Sequence, residues 1–167
     1  TVDAYWGQYC GGTLIAPQWV LTAAHCVDDI ESSQVDVVLG RHLLSSQEGE
    51  RIASDQIIVH PNYNYSEMSD VLDLDGDIAL IHLATASAQQ PAVLYRGPPG
   101  QEETQFIAGT VTGWGITESL SFPDALLEVL VPLASPAVCA RTYGDLLTEN
   151  MICAGYAKGY KDSCYGD

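Results

Sequence analysis

Short apolar runs punctuated by turn-forming residues dominate this chain, and they leave little room for anything but a β fold. The runs lie at Gly12–Ala16, Gln34–Leu39, Arg51–Val59, Ile78–Leu83, Thr104–Thr112, Ala125–Pro132 and Met151–Ala154, and they are rich in Val, Ile and Leu. Clusters of Gly, Pro, Asn and Asp separate them. Runs of this kind read as strands. Many short strands at such spacing suggest a sandwich or a barrel. Two short helical turns are expected, Ala23–Val27 and Ser135–Tyr143, the second with Ser135 as cap and Pro136 in the first turn. The stretch Ala84–Gln105 is the least patterned and reads as a connector between two β units. With 167 residues, 47% apolar and 17% charged, the chain can bury a core of its own.

Charge narrows the partners. Asp and Glu number 22 against 6 Lys and Arg, a formal net charge of −16. Phosphate backbones and anionic membrane surfaces would be repelled, so neither nucleic acid nor membrane is an expected partner. Solubility is the default consequence of such a charge, and attraction of basic substrates is the sharper one. No apolar run approaches the roughly 18 residues that a spanning helix needs. The sequence opens at Thr1 without a leading Met or a basic-then-apolar stretch, so any secretory leader is expected upstream of it.

Cysteines stand at 10, 26, 139, 153 and 164, with no C-x-x-C spacing to suggest a zinc ribbon. Two pairs are local, 10 with 26 and 139 with 153, and either could close a short loop in a secreted protein. Cys164 is then left over, as a free thiol, half of an intermolecular bond, or a residue whose partner lies elsewhere.

Two polar residues sit where chemistry is conceivable. His25 lies in Leu21-Thr22-Ala23-Ala24-His25-Cys26, and Asp77 immediately precedes an apolar run. Taken singly, such a histidine is more often structural and such an aspartate more often caps a turn.

Taken in order, the segments CGGTLI (10–15), WVLTAAHC (19–26), DIALIHL (77–83), VTGWG (111–115), NMICAG (150–155) and DSCYGD (162–167) resemble the chymotrypsin-like serine proteases, most closely the trypsin-like branch. The resemblance covers essentially the whole chain. It implies an all-β fold of two antiparallel β-barrels with the active site in the cleft between them, the second barrel incomplete. Residues 1–167 are then part of one peptidase domain: 1–90 the first barrel, 91–104 a connector, and 105–167 the first part of the second barrel.

The resemblance also implies a mechanism. His25 takes the proton of a serine nucleophile and returns it to the leaving amine, while Asp77 fixes the imidazole tautomer and stabilises the imidazolium. Gly166 supplies an oxyanion-hole N–H. Asp162 stands at the floor of the specificity pocket with Ser163 and Tyr165 beside it, which implies cleavage after Arg or Lys. Asp167 matches the aspartate that receives a freed N-terminal ammonium on activation. Cys10–Cys26 and Cys139–Cys153 are the implied disulfides, with Cys164 paired to a later cysteine. No cofactor and no metal are implied. The expected partners are peptide and protein substrates and protein protease inhibitors, and the expected state is a secreted monomer.

In the family, Gly-Asp is followed by Ser-Gly-Gly-Pro, and that serine is the nucleophile. The sequence ends at Asp167, one residue earlier, and Ser163 does not replace it because the resemblance places it before Cys164. The expectation is therefore a fragment lacking the N-terminal activation segment and about 50 residues at the other end, inactive by itself. The alternative is a protease homologue without activity that serves as a binding or regulatory protein. Three departures accompany the resemblance. The run from His60 to Asp77 is longer than usual and holds Asp70, Asp73 and Asp75, read as a solvated acidic loop because it lacks the glycine and distal glutamate of an EF-hand. Asn64-Tyr65-Ser66 is a glycosylation sequon. The loop Gly40–Asp55 resembles the family's calcium loop, but Arg41 and Arg51 stand where ligands usually do, leaving Glu48 and Glu50 as prospective salt-bridge partners.

Overall fold

The computed structural model describes residues 7–63, 75–97, 108–148, 150–156, 159, 161–163 and 166–167. Among the described residues, seven strands and one α-helix follow each other in the order β1 (Thr13–Ala16), β2 (Trp19–Thr22), β3 (Asp36–Leu39), β4 (Glu50–Val59), β5 (Ala79–Leu83), β6 (Ala108–Gly113), β7 (Leu127–Pro132) and α1 (Pro136–Tyr143). All strand pairs are antiparallel: five strands form one sheet in the order β1-β2-β5-β4-β3, and β6 pairs with β7 in a second.

The first sheet curls because β4 serves two partners. Its first half, Glu50–Ala53, pairs with β3, and its second half, Gln56–Val59, pairs with β5. The register shifts between Ser54 and Gln56, leaving Asp55 as the extra residue of a bulge, and a bulge bends and twists the strand that carries it. Ser54 is buried at the bend, and its hydroxyl donates to Ser32 O at 2.6 Å. The curled face encloses Leu14, Val20, Ala24, Val27, Val35, Ile52, Ala79, Ile81 and Leu83. β5 shows the period most clearly, with Ala79, Ile81 and Leu83 buried and Leu80 and His82 less so, and each large apolar side chain sealed here contributes about 1.5–3 kcal/mol.

Most expected elements are present, with shifted ends. The WVLT run forms β2, which the sequence reading had not separated from its neighbours, and its four residues are too few to show a period. Gln34, expected in a strand, lies in a 3-10 turn at Ser32–Gln34. Met151–Ala154, expected as a strand, makes only an isolated bridge between Leu133 and Ala154. That bridge falls just past Pro132, which has no N–H to continue the ladder, and Cys153 is tied to Cys139 of α1. Pro136 starts α1 as expected, while the Ser135 carbonyl rather than its side chain accepts the first N–H groups, from Val138 at 2.9 Å and Cys139 at 3.0 Å. Residues 84–97 hold neither strand nor helix, and the expected strand residues 104–107 lie outside the described residues.

The two sheets are fastened by polar links. Leu43 bridges Ala125, Leu44 N donates to Asp124 O at 2.9 Å, and Leu126 N donates to His42 O at 2.8 Å. The Asp124 carboxylate also accepts from Ser45 N and Ser45 Oγ, both at 2.7 Å.

Candidate active site

Strand pairing brings His25 and Asp77 together. Thr22, the last residue of β2, faces Ala79, the first of β5. His25 follows Thr22 by one 3-10 turn at Ala24–Cys26, and Asp77 precedes Ala79 by two residues. The turn closes through Val27 N donating to Ala24 O at 2.8 Å. Asp77 then holds His25 twice: Oδ1 accepts the His25 backbone N–H at 2.8 Å, and Oδ2 lies 2.7 Å from Nδ1. A carboxylate can only accept, so it selects the tautomer with hydrogen on Nδ1 and leaves Nε2 as the basic nitrogen. The histidine side chain is 54% exposed and that of Asp77 17%, an open base over a shielded orienting group.

Nε2 lies 3.5 Å from Cys26 Sγ. Cys10, His25 and Cys26 stand close enough together to suggest metal ligation, but the two sulfurs are bonded to each other and offer no thiolate. A second histidine–aspartate pair exists at His82 Nδ1 and Asp55 Oδ1, 2.6 Å apart, with the His82 ring edge-on to Trp19 at 4.6 Å. It sits at the bulge of β4, away from the β2–β5 end that carries His25.

The Gly166–Asp167 turn is packed between both sheets. Asp167 Oδ1 accepts the Gly115 N–H at 2.7 Å, its carbonyl accepts the Gly11 N–H at 3.2 Å, and Gly166 O accepts from Gln8 Nε2 at 2.8 Å. Gly166 has φ +98°, and a Cβ there would come within 2.9 Å of the Phe122 ring, so glycine is required on two counts. Asp162 and Ser163 are exposed, and Ser163 N donates to Asp162 Oδ1 at 2.9 Å. Both line a cleft of about 640 Å³ with Gly155, Tyr156, Lys161 and Asp167, and neither His25 nor Asp77 borders it. Cys164, Tyr165, Asn64, Asp70 and Asp73 lie outside the described residues.

Both disulfides, Cys10–Cys26 and Cys139–Cys153, are formed. The salt-bridge expectation for Glu48 and Glu50 needs correction. Glu50 accepts from Ser87 Oγ at 2.8 Å, Ala88 N at 3.1 Å and Gln89 Nε2 at 3.3 Å, all neutral donors. These hold its carboxyl below the usual value, the Ser87 bond most of all. Glu48 contributes its backbone carbonyl to Arg41 Nε at 2.9 Å, and Arg51 pairs with Asp36 at 2.7 Å. Asp75, expected in a solvated acidic loop, needs correction as well: its carboxylate accepts hydrogen bonds from Thr148 and Asn150. The sequence reading missed the Asp124–Ser45 link, for which Pro123-Asp124 offered only a turn signal.

A sheet protein with an Asp-oriented histidine on its surface and a glycine–aspartate turn packed between two sheets has the frame of the chymotrypsin-like class. The family model described as Trypsin matches residues 1–167, and the chain belongs to that family. It is 37% identical to a trypsin of Xenopus laevis over 164 residues, covering 96% of this chain and 63% of that protein. Against trypsin I-P1 of Gallus gallus the identity is 38%, covering 96% and 62%. The chain thus spans less than two thirds of the length of these relatives. Among solved structures, neuropsin, a serine protease expressed in the limbic system of mouse brain, superposes with a TM-score of 0.79 at 35% identity, covering 95% of this chain and 69% of that one.

Proposed function

We propose that this chain carries the base-and-substrate half of a serine endopeptidase that cleaves after Arg and Lys. The observation that carries the reading is the two-point hold of Asp77 on His25. It sets Nε2 as a general base, which a serine hydroxyl needs to become a nucleophile at neutral pH. Gly166 is the proposed oxyanion donor, Asp162 the group that pairs with the substrate's cation, and the serine the residue directly after Asp167 in the protein as its gene encodes it. The mechanism is then general-base attack, a tetrahedral oxyanion, protonation of the leaving amine by the imidazolium, and hydrolysis of the acyl-enzyme by water. Two disulfides fit an extracellular site of action, and among the described residues no helix is long and apolar enough to cross a membrane.

The test is steady-state hydrolysis of peptides by the protein as encoded, with Arg, Lys, Phe or Leu before the cut. Arg and Lys substrates should dominate, and His25→Ala should lose on the order of 10⁶-fold in kcat. Wild-type turnover no faster than that of His25→Ala would replace this reading with that of a protease homologue acting by binding alone.

A further inference from the structure

Asp77 and Asp75 sit on one tight turn and reach different partners. Among the described residues the Asp77 carboxylate hydrogen-bonds only to His25. The backbone that presents it also sets its position. That backbone is braced from two sides. On one side Gly76, at φ +71°, packs so closely on the turn of residues 60–63 that a Cβ would stand 2.8 Å from His60 Nδ1 and 3.4 Å from Tyr63 N. There His60 N donates to Ile78 O at 3.1 Å, and Ile78 N donates to Gly76 O at 2.6 Å. On the other side Asp75 Oδ1 accepts from Thr148 Oγ1 at 2.8 Å and from Asn150 Nδ2 at 3.1 Å, and Oδ2 lies 3.4 Å from the same amide.

Thr148 and Asn150 belong to the stretch between α1 and Cys153. The Cys139–Cys153 bond holds that stretch against α1, and Ala134 N donates to Cys153 O at 2.8 Å. We propose that Asp75 is a positioning residue: by clamping the Asp77 turn to Thr148 and Asn150, it fixes the carboxylate that orients His25 and couples the base to the part of the chain that leads to Asp162. The kinetic half of this inference rests on the peptidase reading above. The Thr148 hydroxyl and the Asn150 amide hold the Asp75 carboxyl below its usual value against the opposing effect of burial, so the clamp is charged at neutral pH.

Catalytic geometry is steep, a misplacement of about 1 Å costing up to about 10²-fold. The bond from His25 N to Asp77 survives in an Asp75 variant and limits the displacement. Asp75→Ala should therefore lower kcat about tenfold with KM nearly unchanged. Asp75→Asn keeps a carbonyl oxygen for both shorter bonds and should restore most of kcat, and Thr148→Val should fall between.

The experiment measures kcat and KM for an Arg peptide in the protein as encoded, together with the His25 Nδ1–H proton signal by NMR and thermal melts. In Asp75→Ala the His25 signal should shift and broaden while the melt remains cooperative, and in Asp75→Asn it should stay near its wild-type position. Wild-type kcat and an unmoved His25 signal in Asp75→Ala overturn the proposal. So does a loss shared equally by Asp75→Asn, or one that merely follows the unfolded fraction. If Asp75→Ala does not fold, Thr148→Val carries the test with the same readouts. If the wild type has no peptidase activity, only the peptidase reading falls, and the His25 signal still decides for or against the clamp.

Discussion

Adding one methyl group at Gly115 tests whether Asp167 is seated as described. A Cβ there would lie 2.6 Å from Cγ and Oδ1 of Asp167 and 2.8 Å from Oδ2. Comfortable contact needs about 3.5 Å or more, so the aspartate must retreat by about 1 Å. Overpacking of this kind costs about 1–3 kcal/mol. The retreat also breaks the 2.7 Å bond from Gly115 N, and a bond to a charged group contributes about 1.5–3 kcal/mol. One movement relieves the clash and loses the bond, so the two do not add, and about 2–3 kcal/mol is expected. For a domain of this size that lowers Tm by about 5–10 °C. Gly109 is the internal control, since it lies in β6 and a Cβ there meets nothing within 4 Å. Gly109→Ala should leave stability unchanged or raise it by up to about 1 kcal/mol through the unfolded chain. Urea denaturation and calorimetry on both variants, with hydrogen exchange at the Gly115 amide, read the difference. Equal melting of the two alanine variants would refute the placement of Asp167 against β6.

Three further outcomes are expected. Asp124 has its carboxyl held below the ordinary value of 3.8, first by the Ser45 hydroxyl and then by the Ser45 N–H; its stabilising share is complete above that ordinary value and disappears as pH falls through the lower folded one. Asp124→Asn should therefore melt below wild type at pH 7, and the gap should close in a pH series descending below about 4. Non-reducing peptide mapping should recover the 10–26 and 139–153 links, and replacing either pair by Ala should cost about 3 kcal/mol in urea denaturation, as loops of this length imply. Calcium should leave Tm unchanged, because Glu50 is occupied by Ser87, Ala88 and Gln89 and the same loop carries the cations Arg41 and Arg51; Glu50→Gln should lower Tm equally with and without the ion, and a calcium-dependent rise absent from that variant would contradict this.

Local signals carried the sequence reading a long way. The apolar run ending at Leu83 and the first-turn position of Pro136 are properties of neighbouring residues, and both elements formed where expected. His25 and Asp77 were found because each belongs to a distinctive segment, yet their contact depends on the pairing of β2 with β5, and β2 was not read as a separate strand. What escaped lies between residues far apart in sequence. Asp75 meets Thr148 across 73 positions, and nothing in Asp75-Gly76-Asp77 distinguishes a clamped carboxylate from a solvated one. Glu50 was misassigned because charge suggested a charged partner, whereas the fold offered a hydroxyl and amides. Met151–Ala154 had the composition of a strand, but Pro132 ends the edge it would have extended.

The position of β5 has a consequence for biosynthesis. It is the middle strand of the first sheet in space and the last of the five in sequence. As the chain leaves the ribosome, β1 with β2 and β3 with β4 can close as separate hairpins, each with an unpaired edge. Val20 must wait for Ile81, roughly 60 residues later, before those hairpins become a sheet. At about 5–20 residues per second that is an interval of several seconds. Through it, two apolar strand edges stand open to whatever else is nearby, the circumstance that favours misassembly. The excess of acidic over basic residues acts on the nascent chain too, since mutual repulsion keeps half-made copies apart.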